Sequence, residues 1–319
     1  MMQALIVWAI ALSVLAYGGA KFYLHGKVSE AMDTVVLMMS PFARVDYDGI
    51  ASTMTGELTV EGVTIRIEGF RDEIRIDRVG IDTPSFFALL DLSDMMKMQG
   101  DVMPEYFGFL VEGLHMPVDA DYYQEIYNFT VQSLGVDDAE RAAIECTGRY
   151  GFSPRALAAL GYEEQVISMS MTFRDQPSKY LLEMALNIDD MWDLDASISL
   201  DGDMMTELSK GTRYRPKLSE MRLVFTDRSL RQRVTKYCGQ RGLSPEEVLT
   251  AQMDAFRYSG TSSGIEFDEY LLDPYREFLE RKSTLVVTAQ PTNSVAFSQI
   301  DLYKPSDVPA LLNLAAIAR

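Results

Sequence analysis

Histidine and cysteine are scarce in this chain, with two of each among 319 residues. The histidines, His25 and His115, are too few for a histidine-based metal site, and most acid–base catalysis would lack its usual residue. Two cysteines without neighbouring histidines fall short of the four ligands of a structural zinc site. Gly-rich phosphate loops and dinucleotide fingerprints are also absent. The sequence therefore predicts that the protein is not an enzyme, with no catalytic residue, no metal and no cofactor.

Two patterns resemble sites but depart from them. The GTSSG at residues 260–264 matches a nucleophile elbow around Ser262, yet that motif follows a strand, and here a helical pattern precedes it. The aspartates between Asp189 and Asp203 lack the glycine and glutamate spacing of an EF-hand loop. We interpret the first pattern as a flexible Gly/Ser loop and the second as the solvated face of a strand.

Basic side chains are outnumbered, since 29 Lys and Arg face 47 Asp and Glu, for a net charge of −18 at pH 7. The acidic residues are spread along the chain, which is typical of a soluble acidic surface. Such a surface repels phosphate backbones and anionic lipid headgroups. No nucleic-acid partner is therefore expected.

One long uncharged run occurs near the N-terminus. Residues 4–20 carry no charge, and the run to Leu24 covers about 21 residues, roughly 31 Å of helix, enough to cross a bilayer. We predict a membrane anchor over residues 1–27. A cleaved signal peptide is the alternative, because Gly18, Gly19 and Ala20 are small; the missing basic region before the run favours the anchor.

Two rules disagree about the orientation of the anchor. Lys21 and Lys27 come after the apolar run, so the positive-inside count alone places the body in the cytoplasm. Long domains, however, translocate largely regardless of charge. We predict an α+β body over residues 28–319, which could divide near residue 135; its extracytoplasmic placement is implied largely by the family resemblance given below.

Alternation of apolar and polar residues predicts the strands of this body. Leu58 and Val60 alternate with polar neighbours, the phase breaks at Gly62, and Val63 resumes it, which indicates a turn or bulge. The runs EIRID and RVGID add a pair of short strands. Residues 166–200 hold three alternating runs, typical of an antiparallel meander. Further strands are predicted at 221–225, 284–288 and 294–302, and helices at 28–39, 84–98, 119–131, 137–146 and 268–281.

An internal echo accompanies the two cysteines. GRYGFSP at residues 148–154 recurs as GQRGLSP at 239–245, shortly after Cys146 and Cys238 respectively. Both copies predict a helix that ends at the cysteine with a glycine C-cap, then a second helix N-capped by Ser153 or Ser244, with Glu247 completing a capping box in the second copy. The copies are either paired hairpins, related by duplication or side-by-side packing, or unrelated hairpins with common cap chemistry. A Cys146–Cys238 disulfide is expected in an oxidising compartment; the alternative is two buried thiols.

After the N-terminal helix, residues 45–65 (VDYDGIASTMTGELTVEGVTI) and the following EIRIDRVGIDTP resemble the opening of AsmA-like bacterial envelope proteins. SPEEVLTAQ and FLERKSTLVVTAQP are similar to uncharacterised proteobacterial membrane-anchored proteins. The resemblance implies a single-pass inner-membrane anchor, a periplasmic body, and curved sheets that bind or conduct lipid or assist envelope assembly. It carries over no catalytic residue. The chain is short for an AsmA-like protein, so a bridge across the periplasm does not follow.

The predicted fold is therefore α+β, with an N-terminal transmembrane helix, curved antiparallel sheet and packed helical hairpins. The leading hypothesis is a lipid-binding or envelope-assembly factor whose partners are the inner membrane, through residues 1–27, and lipid or envelope proteins. The competing hypothesis is a structural or protein-interaction module in which the same apolar face is an ordinary core covered by helices. The candidate ligand-binding residues lie on that face: Met169, Met171, Phe173, Leu182, Met184 and Leu186.

Overall fold

The computed structural model describes residues 2–95, 105–133, 145–146, 152–176, 178–202, 216–300 and 302–319, with only the backbone of residues 2–17, 91–95 and 130–133. Residue 1 and the side chains of residues 2–17, on which most of the predicted anchor falls, lie outside the described part; within it, no helix is long and apolar enough to cross a membrane. The predicted division near residue 135 also falls outside the described residues.

Twelve strands of the described chain form one open antiparallel sheet, in the order β1-β3-β4-β5-β6-β7-β8-β9-β10-β12. β2 also pairs with β3, and β11 pairs with β9. Most neighbours in the sheet are consecutive in sequence, as in a meander. The strands are β1 (Ala43–Asp46), β2 (Gly49–Ser52), β3 (Glu57–Ile67), β4 (Glu73–Asp82), β5 (Tyr106–Pro117), β6 (Glu164–Gln176), β7 (Lys179–Ile188), β8 (Trp192–Asp201), β9 (Lys217–Asp227), β10 (Thr284–Ala289), β11 (Val295–Ala296) and β12 (Leu314–Ala318).

Helices lie before the sheet and between its strands, which gives the predicted α+β class. They are α1 (Met2–Met39), α2 (Phe86–Met95), α3 (Asp121–Ser133), α4 (Pro154–Ala159), α5 (Leu230–Gln240), α6 (Pro245–Ser262), α7 (Glu269–Glu280), α8 (Phe297–Ile300) and α9 (Val308–Leu311). The helix predicted at 28–39 is the last part of the single helix α1 and ends at Met39, just before Ser40 and Pro41. Most of the helix predicted at 137–146 lies outside the described residues, although residues 145 and 146 are helical.

The phase break at Gly62 is confirmed, and β5 contains a second glycine of the same kind. Gly62 and Gly113 both follow Val-Glu and have φ of +61° and +60°. A Cβ at Gly62 would lie 2.0 Å from Oδ2 of Asp48, and one at Gly113 would lie 2.0 Å from Oδ2 of Asp77, so a side chain at either position would displace the aspartate and would also be strained by the positive φ. Because the strand changes phase here, Val60 and Val63 both pack in the core next to α1.

Apolar clusters under helices hold the two ends of the sheet. At the N-terminal end, Leu24 of α1 packs with Phe86 and Leu89 of α2, against Leu58 and Ile81 of β3 and β4. At the C-terminal end, side chains from α4, α5 and α6 form one cluster, and α7, α9, β9, β10 and β12 form another. The first of these clusters contains Cys146, Ala156, Leu157, Val234, Tyr237, Cys238 and Val248.

The predicted disulfide is present. Cys146 and Cys238 are bonded, with their Cα atoms 5.9 Å apart and 92 residues of sequence separation. Both cysteines are almost fully buried in the cluster under α4, α5 and α6. The bond therefore joins the two halves of the echo within a single core.

The cap chemistry of the echo is largely confirmed. Ser153 Oγ accepts a hydrogen bond from Ala156 N at 3.0 Å, and Ser244 Oγ accepts one from Glu247 N at 3.2 Å, with Glu247 completing the capping box. The predicted glycine C-cap was wrong for Gly239, which lies inside α5. Gly242, with φ +89°, takes that role, because Gly242 N and Leu243 N donate to the last carbonyls of α5.

A buried carboxylate, not foreseen from the sequence, links the same hairpins. Glu145 accepts hydrogen bonds from Tyr237 Oη at 2.8 Å and Arg241 Nη1 at 2.9 Å, and from the hydroxyl of Ser153. Arg241 also stacks over the ring of Tyr237, 4.0 Å from its centroid. Burial and the bond to Glu145 raise the pKa of Tyr237, which stays neutral. These bonds offset the cost of burying the charge of Glu145.

Three sequence expectations were wrong in detail. EIRID and RVGID form one continuous strand, β4, because Ile76 and Arg78, on either side of Asp77, both stay paired with β3 and β5. Residues 294–302 hold only the short β11 followed by α8. Ser262 lies in the last turn of α6 rather than in a flexible loop, and its hydroxyl donates to Ser259 O at 2.9 Å.

Candidate functional site

Three apolar rows cross the sheet and bring the predicted candidate residues together. Phe173 lies opposite Leu182, Met171 opposite Met184, and Met169 opposite Leu186 on β6 and β7. Directly opposed residues of an antiparallel pair point to the same face. The rows continue into β5 and β8 without a polar position. We call this side of β5–β8 the open face, and it carries Phe107, Phe109, Val111, Met169, Met171, Phe173, Leu182, Met184, Leu186, Leu194, Ala196 and Ile198.

The centre of the open face is accessible to solvent. Met169, Met171 and Met184 are 38%, 39% and 37% exposed, although each stands in an apolar row. In the described chain, no helix residue shares an apolar cluster with these methionines. Since neighbouring strands lie about 4.8 Å apart, β5 to β8 span roughly 14 Å of apolar sheet.

Helices cover the same rows on either side of the open face. On one side, Phe86 and Leu89 of α2 pack over Ile81, which lies opposite Phe109. On the other, Phe278 of α7 meets Phe225 of β9 edge-on, with ring centroids 5.6 Å apart. The open face thus lies between two helices, α2 on one side and α7 on the other.

The opposite side of the same strands is polar. Thr172 lies opposite Glu183, and Glu183 lies opposite Ser197, which in turn faces Arg222. Arg174 bridges to Glu183 at 3.3 Å in a solvent-exposed pair. A sheet with one polar side and one apolar side normally packs its apolar side on a core. The exposed methionines are therefore the unusual feature.

Sequence reasoning missed β5 and with it Phe107, Phe109 and Val111. These residues alternate with Gly108 and Leu110 and stop at Gly113, so the signal was present in FGFLVEG. Their positions opposite Phe173, Met171 and Met169 extend the open face by one strand.

The ionisable groups set aside as non-catalytic have structural partners. Asp193 pairs with Arg228 at 2.7 Å, and Asp190 pairs with Arg233. His115 lies on the edge of a polar hollow, 3.2 Å from Glu164 and 3.3 Å from Asp77. The bond to Glu164 is the main reason that the pKa of His115 is raised. Among the described residues, no group of His, Cys, Asp and Glu side chains is arranged to hold a metal ion.

In the comparison with protein families, a family model described as "Uncharacterized protein" matches residues 185–319, from the middle of β7 to β12. No curated protein matches the chain. The match covers less than half of the chain. It includes Cys238 of the disulfide and helix α7 beside the open face, but not β5 or β6. The geometry of the open face, rather than a characterised relative, is therefore what indicates a function for this chain.

Proposed function

We propose that the protein binds the apolar chains of lipids on its open face. The observation that carries this proposal is the exposure of Met169, Met171 and Met184 in the middle of rows whose outer positions, on β4 and β9, lie under helices. Exposed contiguous apolar surface between polar borders is typical of binding sites for partners or apolar ligands. Methionine suits such a surface because its unbranched, polarisable side chain adapts to ligands of varied shape.

The charge of the molecule favours contact through acyl chains rather than through anionic headgroups. The net charge of −18 at pH 7 opposes the approach of phosphate. The open face itself contributes only apolar side chains, so it offers no partner for a charged group. A charged headgroup would therefore remain in solvent or at a membrane surface while the chain lies on the sheet.

We further propose that residues 1–27 anchor the protein in the inner membrane, with the body in the periplasm. The uncharged run at residues 4–20 supports the anchor, and the disulfide between Cys146 and Cys238 fits an oxidising compartment. The resemblance to AsmA-like proteins supports a role in lipid handling or envelope assembly. An anchored lipid-binding sheet would stand close to the bilayer that supplies its ligand.

A second candidate is a non-catalytic interaction module whose open face is covered by another protein. The observation in its favour is that α2 and α7 already cover the same apolar rows on both sides. A partner helix would complete that cover. The two candidates differ in what is found on Met171 and Met184: an acyl chain or a polypeptide.

The experiment that tests lipid binding is native mass spectrometry of the detergent-extracted protein, with analysis of the lipid that co-purifies. Met184→Asp places a charge on the open face, and Ser170→Asp places the same charge on the polar side of the neighbouring strand β6, opposite Leu110 and Ala185, as the matched control. We expect bound lipid in the wild type and in Ser170→Asp and at least about a tenfold loss in Met184→Asp, since a buried unpaired charge is costly. Equal lipid content in the two variants would contradict the proposal.

The placement has a separate test. A reporter active only outside the cytoplasm, fused after Arg319, should be active, and the protein should stay in the membrane fraction after a high-salt wash. Activity of a cytoplasmic reporter would overturn the proposed orientation. A soluble product lacking about the first 20 residues would show that the segment is a cleaved signal instead.

A further inference from the structure

The apolar rows lead into a partly open cavity of about 440 Å³ at the ends of β7, β8 and β9. Ile188 lies opposite Trp192, and these residues continue the open face beyond Leu186 and Leu194. The other sides of the cavity come from α4, α5, α6 and α7, including Leu157, Val234 and Phe278. The volume falls within the roughly 300–1,000 Å³ that is usual for small-molecule sites.

Several polar groups also line this cavity. They are Gln165, Gln252, Asp227, Arg231 and the phenol rings of Tyr123 and Tyr275. Gln165 is buried, and within the described part of the chain its amide nitrogen donates to the sulfur of Met191, a weak acceptor, at 3.5 Å. Burial raises the pKa of both Tyr123 and Tyr275 to about 12, so these phenols stay neutral. The cavity thus offers neutral hydrogen-bonding groups to a ligand with one polar function.

The two charged groups of the cavity already have partners. Asp227 accepts a hydrogen bond from Arg231 N at 2.9 Å, and its carboxylate lies 4.0 Å from Arg231 Nε. Arg231 Nη1 donates to Lys282 O at 2.7 Å and to Phe278 O. Burial raises the pKa of Asp227 because the apolar surroundings disfavour its charged form, and they would disfavour an ionised ligand in the same way. An anionic ligand would also have to compete with Asp227 for Arg231, so burying its charged group would be costly.

We propose that this cavity binds the polar end of a lipid when that end is uncharged, as in an acylglycerol, in preference to the ionised end of a fatty acid. This inference builds on the proposed function, since the chain reaches the cavity along the open face. The aromatic and aliphatic walls contact the acyl chain, and the neutral amides and phenols bind the ester or hydroxyl oxygens.

Trp192 supplies a local probe of the cavity. The chain has two tryptophans, and Trp8→Phe leaves Trp192 as the only one. Bromine quenches indole fluorescence on contact, so a dibrominated stearoyl chain reports its arrival at Trp192. The full-length Trp8→Phe protein is titrated at about pH 9 with this chain as a glycerol monoester or as the free carboxylate, which is ionised there. Native mass spectra of the same samples count bound lipid.

The monoester should quench Trp192 at concentrations at least about tenfold lower than the carboxylate. Leu279→Phe, which adds volume to the cavity wall, should weaken quenching severalfold, whereas Leu302→Phe, on an exposed side chain, should not. Equal quenching by both lipids would refute the preference for a neutral group. Bound monoester without quenching, or unchanged quenching in Leu279→Phe, would refute the cavity but leave the open face standing. No bound lipid of either kind would overturn both proposals.

Discussion

The same apolar row is covered at one end of the sheet and exposed in its middle. On β9, Phe225 is covered by Phe278 of α7, while Met169, in the same row on β6, is 38% exposed. Both side chains point to the same side of the sheet. Strand alternation thus establishes that a face is apolar, and the helices that follow in the chain decide whether that face becomes core or binding surface.

The stability of the covered, C-terminal end of the sheet should depend strongly on the Cys146–Cys238 disulfide. Replacing Cys146 or Cys238 by serine opens a loop of 92 residues and should cost up to about 4–5 kcal/mol in the chain-entropy model. The double replacement should cost no more than one of the single ones, because the second cysteine no longer has a partner. Urea midpoints of the extracted proteins measure the loss. Two freely labelled thiols in protein from its native compartment would contradict the bond.

A pair of alanine substitutions sharpens the comparison directly. Leu271 of α7 is 5% exposed in the covered end, and Leu271→Ala should lower the free energy of unfolding by about 3 kcal/mol through cavity formation. Met171→Ala on the open face should cost less than about 1 kcal/mol, since its side chain is already partly in water. Thermal unfolding without added lipid gives both values. Similar losses would mean that something covers Met171 in solution.

The helix caps predict a smaller effect at the covered end. Ser244→Ala removes the side-chain acceptor for Glu247 N at the start of α6 and should cost about 1 kcal/mol. Ser262→Ala, at the other end of the same helix, removes only an exposed bond to Ser259 O and should change stability by less than about 0.5 kcal/mol. Chemical denaturation resolves the difference between the two. A larger loss of stability for Ser262→Ala than for Ser244→Ala would contradict the expected contribution of the Ser244 cap.

The smallest predicted effect is the contribution of His115, on β5, to the pH dependence of the free energy of unfolding. The pKa of His115 is raised above 6.5 by Glu164 and Asp77, so its protonated form stabilises the fold. That contribution is fully present below pH 6.5 and is lost as the pH rises through the folded pKa. Because both carboxylates are largely exposed, it should stay below about 1 kcal/mol. His115→Gln should flatten this part of the stability profile, and an unchanged profile would show that His115 is not its source.

Local signals predicted the elements that sequence neighbours determine. The meander from β6 to β8, the break at Gly62 and the caps at Ser153 and Ser244 were all readable, because alternation, glycine and cap residues act over a few positions. β12 was missed since LAAIA is short and rich in alanine, and it becomes a strand through pairing with β10. Glu145 was missed because its partners, Tyr237 and Arg241, are more than ninety residues away.

The candidate surface could be predicted as apolar but not as open. Met169, Met171 and Met184 alternate like any core strand, and nothing in their immediate sequence tells how α2 and α7 are placed. The cavity beyond Trp192 depends on four helices and was not foreseeable from any one segment.

The central claim is that the open face holds lipid in the cell. A photoreactive amino acid placed at Met184, and in parallel at Ala185 on the polar side of the same strand, tests it in the native membrane. Mass spectrometry after irradiation should find lipid-sized adducts at position 184 and none at position 185, since only the first faces the apolar rows. A polypeptide adduct at position 184, or equal adducts at both positions, would contradict the account.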